Sequence, residues 1–121
     1  MILRLTLVMI FSFLVLSCSK DKEIVYAPSK KVDAFIIYKE GMEAFEVNDF
    51  FYASKKFTEA ELNFENIDLA AKSAIMSSFS LYGINFYSEA LENLNRYLKK
   101  YPADKNVIYA HYLIAMIHFE Q

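Results

Sequence analysis

The sequence predicts an all-α protein, a solenoid of about two and a half helical hairpins carried behind a signal peptide. Three observations predict it. Gly and Pro number only two each in 121 residues, against 11 Phe and 9 Tyr. Helices joined by tight turns can do without such breakers, whereas β-rich domains use them freely. Apolar residues recur at helical spacing through five segments, about 32–47, 50–64, 67–82, 88–100 and 104–121. These segments also match one another at a fixed step of 37 residues, which is how a repeat architecture shows itself. A chain of this length holds a single domain.

The leader comes first. Arg4 supplies a positive charge, and Leu5 to Leu16 is apolar apart from Thr6 and Ser12. A run of about twelve residues rises only about 18 Å as a helix, well short of a ~30 Å hydrocarbon core. Residues 1–17 therefore read as a signal peptide, not a membrane span. The run ends in Val15-Leu16-Ser17-Cys18, which resembles the bacterial lipobox, with Leu16 bulkier than the usual residue there. The resemblance implies cleavage before Cys18, a diacylglycerol thioether on its sulfur and a fatty acid, such as palmitate, on its new amine. Several buried acyl chains hold a protein far better than one, since each buried CH₂ contributes about 0.8 kcal/mol. Cys18 is the only cysteine, so no intramolecular disulfide can form. Ser19 resembles the class of lipoproteins sorted to the outer membrane. Residues 18–31 then form a polar tether, interrupted by Ile24-Val25-Tyr26 and closed by Pro28-Ser29.

The helical part, 32–121, breaks at Asn48-Asp49, Glu65-Asn66, Gly83-Ile84-Asn85 and Tyr101-Pro102. Gly83 suits a left-handed helix C-cap, Ser88 an N-cap, and Pro102 a stop. In the 37-residue register, the small residues Gly41, Ser78 and Ala115 coincide. So do Phe45, Tyr82 and Phe119; Tyr38, Ile75 and Tyr112; Ala53 and Ala90; Phe57 and Leu94; Phe50 and Tyr87. Each copy resembles a tetratricopeptide repeat, a hairpin whose small residue lets its two helices cross closely. The copies run about 34–66, 67–103 and 104–121, the last incomplete, so the chain reads as part of a longer solenoid. Two features depart from that family: the step exceeds its usual spacing of about 34, and its closing proline is Pro102 in the second copy but Glu65 in the first. Hairpins of this kind bury their apolar stripes only by stacking on neighbours.

A narrower resemblance rests on three stretches. Tyr38-Lys39-Glu40-Gly41 with Phe50-Phe51-Tyr52-Ala53 is the first. Phe86-Tyr87-Ser88-Glu89-Ala90 leading to Tyr97-Leu98-Lys99-Lys100-Tyr101-Pro102 is the second. Tyr109-Ala110-His111-Tyr112-Leu113 with the aromatic-Glu-Gln sequence Phe119-Glu120-Gln121 is the third. Together they resemble the N-terminal half of the BamD family, the tetratricopeptide lipoproteins of outer-membrane β-barrel assembly. Asn63 to Asp68 lacks the Tyr-Pro usual between its first repeats. The resemblance implies a non-catalytic scaffold, lipid-anchored on the periplasmic face of the outer membrane. Its partners would be unfolded outer-membrane protein precursors, BamA and accessory lipoproteins, although the repeats that hold BamA are absent here. The alternative is another periplasmic repeat lipoprotein, either a pilotin or a cell-envelope adaptor for peptidoglycan hydrolases.

The residues themselves give no case for catalysis. There is no phosphate loop, nucleophile motif or metal-ligand spacing. His111 and His118 stand seven apart, about 10 Å along a helix, too far to share a metal. A net charge of −2 supplies no basic face for nucleic acid, and no cofactor is implied. Ile37, Gly41 and Ala44 form the stripe expected to face the second helix of the first hairpin. One residue on lie Tyr38, Met42 and Phe45, with counterparts Ile75, Phe79 and Tyr82, then Tyr112, Met116 and Phe119. In tetratricopeptide solenoids this second stripe faces the concave groove that holds peptides, and aromatic and Met side chains there suit an apolar, extended segment. Aromatics at helical spacing are more often core, and a short solenoid can bury such a stripe between neighbouring helices. Lys55-Lys56, Lys99-Lys100 and Glu40, Glu43 and Glu46 read as solvated charge.

Overall fold

The computed structural model describes residues 33–121. The signal peptide, Cys18 and the tether through residue 31 lie outside the described residues. Short polar side chains open the first three helices by accepting hydrogen bonds from amides that lack a helical partner. Asp33 accepts from the Phe35 amide at 2.9 Å and opens α1, Ala34–Glu46. Asp49 accepts from Tyr52 at 3.1 Å and opens α2, Phe50–Asn63. Asn66 accepts from Asp68 and Leu69 at 2.9 and 3.0 Å and opens α3, Ile67–Gly83. The remaining helices, α4 (Tyr87–Lys100) and α5 (Val107–Glu120), start without a side-chain cap. The described residues are thus all-α, with the Pro102 break following α4 as expected.

The two hairpin turns have one backbone design, and it corrects two expectations. Asn48 and Asn85, one repeat step apart, both have φ of 61°, while neither glycine has positive φ. The Asn48 amide donates to the Phe45 carbonyl and the Asp49 amide to Ala44; Asn85 donates to Tyr82 and Phe86 to Leu81 in the same way. This is a Schellman motif with Asn in the left-handed position. Gly83 is therefore not the left-handed cap; it lies in the last turn of α3, two residues before the residue that is. Nor is Ser88 an N-cap. The second turn repeats the first, so Phe86 occupies the place of Asp49, and Ser88 falls inside the first turn of α4.

Packing follows the small residues. A Cβ at Gly41 would stand 3.0 Å from Cδ1 and Cε1 of Phe57, so glycine sets how closely α1 and α2 approach. Ala53 and Ala90, like Phe57 and Leu94, are equivalent pairs and fully buried. Phe45 meets Phe50 at 5.0 Å between ring centroids, and the equivalent Tyr82 meets Tyr87 at 6.0 Å. Ala115, the third small residue, is exposed.

Helix α3 lies between α2 and α4 and also touches α5. It is accordingly built from small residues, with Ser73, Ser77, Ser78 and Ser80 fully buried. Three of these return their hydroxyls to carbonyls one turn back, Ser73 to Leu69, Ser78 to Ala74 and Ser80 to Met76. That satisfies the hydroxyl in little more space than Ala needs. Ser77 instead reaches α2, where it bonds to the Ser54 carbonyl at 3.0 Å and to the Thr58 hydroxyl at 2.8 Å.

Not all the charge is solvated. Glu61 on α2 is buried and takes both Arg96 terminal nitrogens at 2.8 Å, Lys100 at 3.0 Å and the Tyr101 hydroxyl at 2.8 Å. Lys100 thus ties one hairpin to the next. Lys56 bridges α1 and α2 through Glu40 at 2.7 Å, with Glu59 at 3.3 Å. Lys55 lies over the Phe51 ring.

Candidate peptide-binding groove

In α1 the two stripes separate as their spacing demands. Ile37, Gly41 and Ala44 are buried, and Phe57 packs beside Ala44. Tyr38, Met42 and Phe45, one residue further round, are half-buried, packing on the same cluster with one edge still open. On α3, Ile75 is buried while Phe79 and Tyr82 are half-buried; on α5, Met116 is half-buried. Tyr112 and Phe119 are exposed, Phe119 almost completely at 86%.

The structure brings part of this set together. Phe45, Phe79 and Tyr109 make a row of rings, one from the first helix of each repeat, with centroids 5.7 and 6.3 Å apart. The row belongs to a cleft of about 600 Å³ that also takes in Ile75, Met76, Lys72, Lys105 and Asn106. That volume lies within the usual range for a binding cleft. Six expected residues do not line it. Tyr38 packs on Phe57 and Phe64 at 5.2 and 6.2 Å, and Tyr82 turns toward α5. Met42 packs into the α1–α2 cluster. Tyr112, Met116 and Phe119 lie further along α5.

Five lining residues were not anticipated. Lys72 and Tyr109 are equivalent in the 37-residue register, three residues before Ile75 and Tyr112. Following the stripe one turn toward the helix N-termini reaches both, so a signal existed for them. Met76, Lys105 and Asn106 have no such signal, because Met76 lies one residue off the stripe and Lys105 and Asn106 belong to the turn before α5.

Two tyrosine–carboxylate links hold α5. The Tyr97 hydroxyl donates to Asp104, which also accepts from the Asn106 amide at 2.9 Å. At the far end, Tyr82 and Tyr87 donate to Glu120 at 2.7 and 2.6 Å. The bond to Glu120 pushes the Tyr82 phenol up to about 12 and raises Tyr87 too, while both phenols hold the Glu120 carboxyl below its ordinary range. Burial, with a smaller contribution from Tyr112, raises the Tyr109 phenol. Among the described residues, no three His, Cys, Asp or Glu side chains converge as a metal site would require, and His111 and His118 are both exposed. Nor is any described helix long and apolar enough to cross a membrane.

The model of the YfiO family, described as outer membrane lipoprotein, matches residues 30–121. The chain belongs to this family. It is 28% identical over 86 residues to the outer membrane protein assembly factor BamD of Caulobacter vibrioides, covering 71% of this chain and 28% of that protein. To the factor of the same name from Rickettsia prowazekii it is 24% identical over 100 residues, covering 83% of this chain and 38% of that one. The chain therefore spans well under half the length of either relative. No solved structure gives a significant match. Family membership bears out both the BamD resemblance and the tetratricopeptide-like all-α fold. Within that resemblance, the aromatic-Glu-Gln sequence is the end of α5, and its glutamate is the acceptor that Tyr82 and Tyr87 share.

Proposed function

We propose that this protein is a non-catalytic scaffold for assembling outer-membrane β-barrels, anchored by acylated Cys18 at the periplasmic face of the outer membrane. Two of its relatives are named as outer membrane protein assembly factors. The observation that carries the reading for this chain is the row Phe45–Phe79–Tyr109, whose rings stand 5.7 and 6.3 Å apart. Side chains on one face of an extended strand repeat at about 6.6 Å, twice the ~3.3 Å rise per residue. A strand laid across the row would set successive same-face side chains against successive rings. Barrel precursors have that pattern, with an apolar residue at every second position. Unfolded precursors are thus the ligand class the groove suits, bound without a cofactor. BamA and accessory lipoproteins would meet other surfaces of the protein.

Site-specific crosslinking in cells tests this. A photoreactive residue in place of Phe79 should capture newly made barrel proteins, whereas one at exposed Lys99 should not. Equal capture at both positions, or capture of peptidoglycan hydrolases in place of barrel proteins, would overturn the reading. The anchor is tested separately with Cys18→Ser, which should block fatty-acid labelling and release the protein from membranes.

A further inference from the structure

The groove is electrostatically one-sided. Lys72 and Lys105 are both exposed at it, and no carboxylate lines it. Neither lysine forms an ion pair among the described residues. The nearest acid in sequence to Lys105 is Asp104, whose carboxylate accepts from Tyr97 and Asn106 and feels the Lys105 charge without pairing with it. Asp68 lies one turn before Lys72 and does not line the cleft.

The two ammonium groups also come from different elements of the groove. Lys72 leans toward α1, its nitrogen 5.5 Å from the centroid of the Tyr38 ring. Lys105 belongs to the turn that leads into α5, next to the Tyr109 end. Two lysines divided in this way act as separate point charges and make no single fork for one carboxylate. Resting on the groove reading above, we infer that the groove selects extended segments that carry two acidic side chains beside an alternating apolar core. The core lies on the rings of Phe45, Phe79 and Tyr109, and one acidic side chain reaches each lysine.

Three synthetic peptides sharing one alternating Phe core decide the matter. The first has Asp on both flanks and an amidated C-terminus; the second has Asn flanks and the same amide; the third has Asn flanks and a free terminal carboxylate. Binding to the lipidated protein in detergent is read by fluorescence anisotropy, for wild type and for Lys72→Gln/Lys105→Gln. Gln keeps most of each aliphatic stem, and a thermal melt checks that the variant folds. The Asp-flanked peptide should bind on the order of tenfold more tightly than its Asn counterpart, as two exposed ion pairs allow. The advantage should shrink in high salt and vanish in the double variant. Equal affinity for Asp and Asn flanks in wild type would overturn the inference, as would an Asp advantage that survives in the variant. A gain only for the third peptide would assign the lysines to a chain terminus and also overturn it. The groove reading fails on a different result: an Asn-flanked peptide that does not bind, or that binds Phe79→Leu as well as it binds wild type.

Discussion

Replacing Glu61 with Gln probes how successive hairpins are joined. The Glu61 carboxylate is on α2, while Arg96 and Lys100 are on α4 and Tyr101 ends that helix. Burial alone would raise this carboxyl, but the hydrogen bonds from Arg96, Lys100 and Tyr101 outweigh it and hold the group below the ordinary range. The partners do not contribute equally. The Arg96 and Lys100 side chains are 39% and 47% exposed and can rehydrate, so their share falls toward the ~0–1 kcal/mol of a surface pair. The Tyr101 hydroxyl is buried and cannot. Gln still offers Tyr101 an acceptor, but it loses the charge and turns an NH₂ toward cationic donors. The loss should be about 2–3 kcal/mol at pH 7, below the ~3–5 kcal/mol for breaking an enclosed pair.

The pH dependence follows from the direction of the shift. A carboxyl depressed in the folded state contributes fully above its unfolded value, about 4.3. That contribution is lost as pH falls through the lower folded value. Urea unfolding followed by circular dichroism from pH 7 down to pH 3 should therefore show wild type losing its advantage over Glu61→Gln on acidification. The reasoning is refuted if the two proteins differ by less than about 0.5 kcal/mol at pH 7, the range of an ordinary surface substitution. A gap that stays constant on acidification would refute it as well.

Three other outcomes are expected. Gly83→Ala should stabilise by about 0.5–1 kcal/mol, because Gly83 is helical and a Cβ there meets Phe50 at an ordinary 3.4 Å; Asn85→Ala should cost about 1 kcal/mol for its left-handed backbone. Urea midpoints in the opposite order would restore Gly83 as the left-handed residue. Gly41→Ala should destabilise by about 1–2 kcal/mol, since overpacking against fully buried Phe57 exceeds the gain in helix propensity; a midpoint at or above wild type would show that Phe57 can yield. Glu120→Gln should bring the Tyr82 phenol from about 12 toward the usual value near 10, seen as earlier tyrosinate absorbance in an alkaline titration, and an unchanged curve would remove Glu120 as the cause.

Helix order and repeat register were legible because both rest on spacing. Hydrophobic period places five helices within a few residues of their observed ends, and one step of 37 aligns Ala53 with Ala90 and Phe57 with Leu94, all buried. The αL residue was misplaced because Gly83 offered a stronger local signal than Asn85, although Asn tolerates left-handed backbone as well. The identical Asn at position 48 was the clue, since equivalent turns need equivalent residues. Glu61 was invisible for a different reason. Its burial depends on Arg96 and Lys100 arriving from another hairpin 35 and 39 residues later, a separation that neither helical period nor the 37-residue step connects. Two of the eight groove residues were lost in the same way, since Lys105 and Asn106 reach it through a turn and not along a stripe.

The shape of the groove depends on groups that do not line it. Its third ring and its second lysine sit on or beside α5, which packs mainly on α4 and only lightly on α3. Polar links hold that helix at both ends, Tyr97 to Asp104 before its start and Tyr82 with Tyr87 to Glu120 in its last turn. Each link joins a carboxyl held low to phenols held high, so near neutral pH the acceptors stay charged and the donors stay protonated. The position of Tyr109 against Phe79 is therefore set by bonds that no change near neutrality would release. Lys72 and Lys105 are both exposed at the groove. Ionic strength, which screens those two exposed lysines, is then the condition that would tune binding in this groove, while the spacing of its rings stays constant.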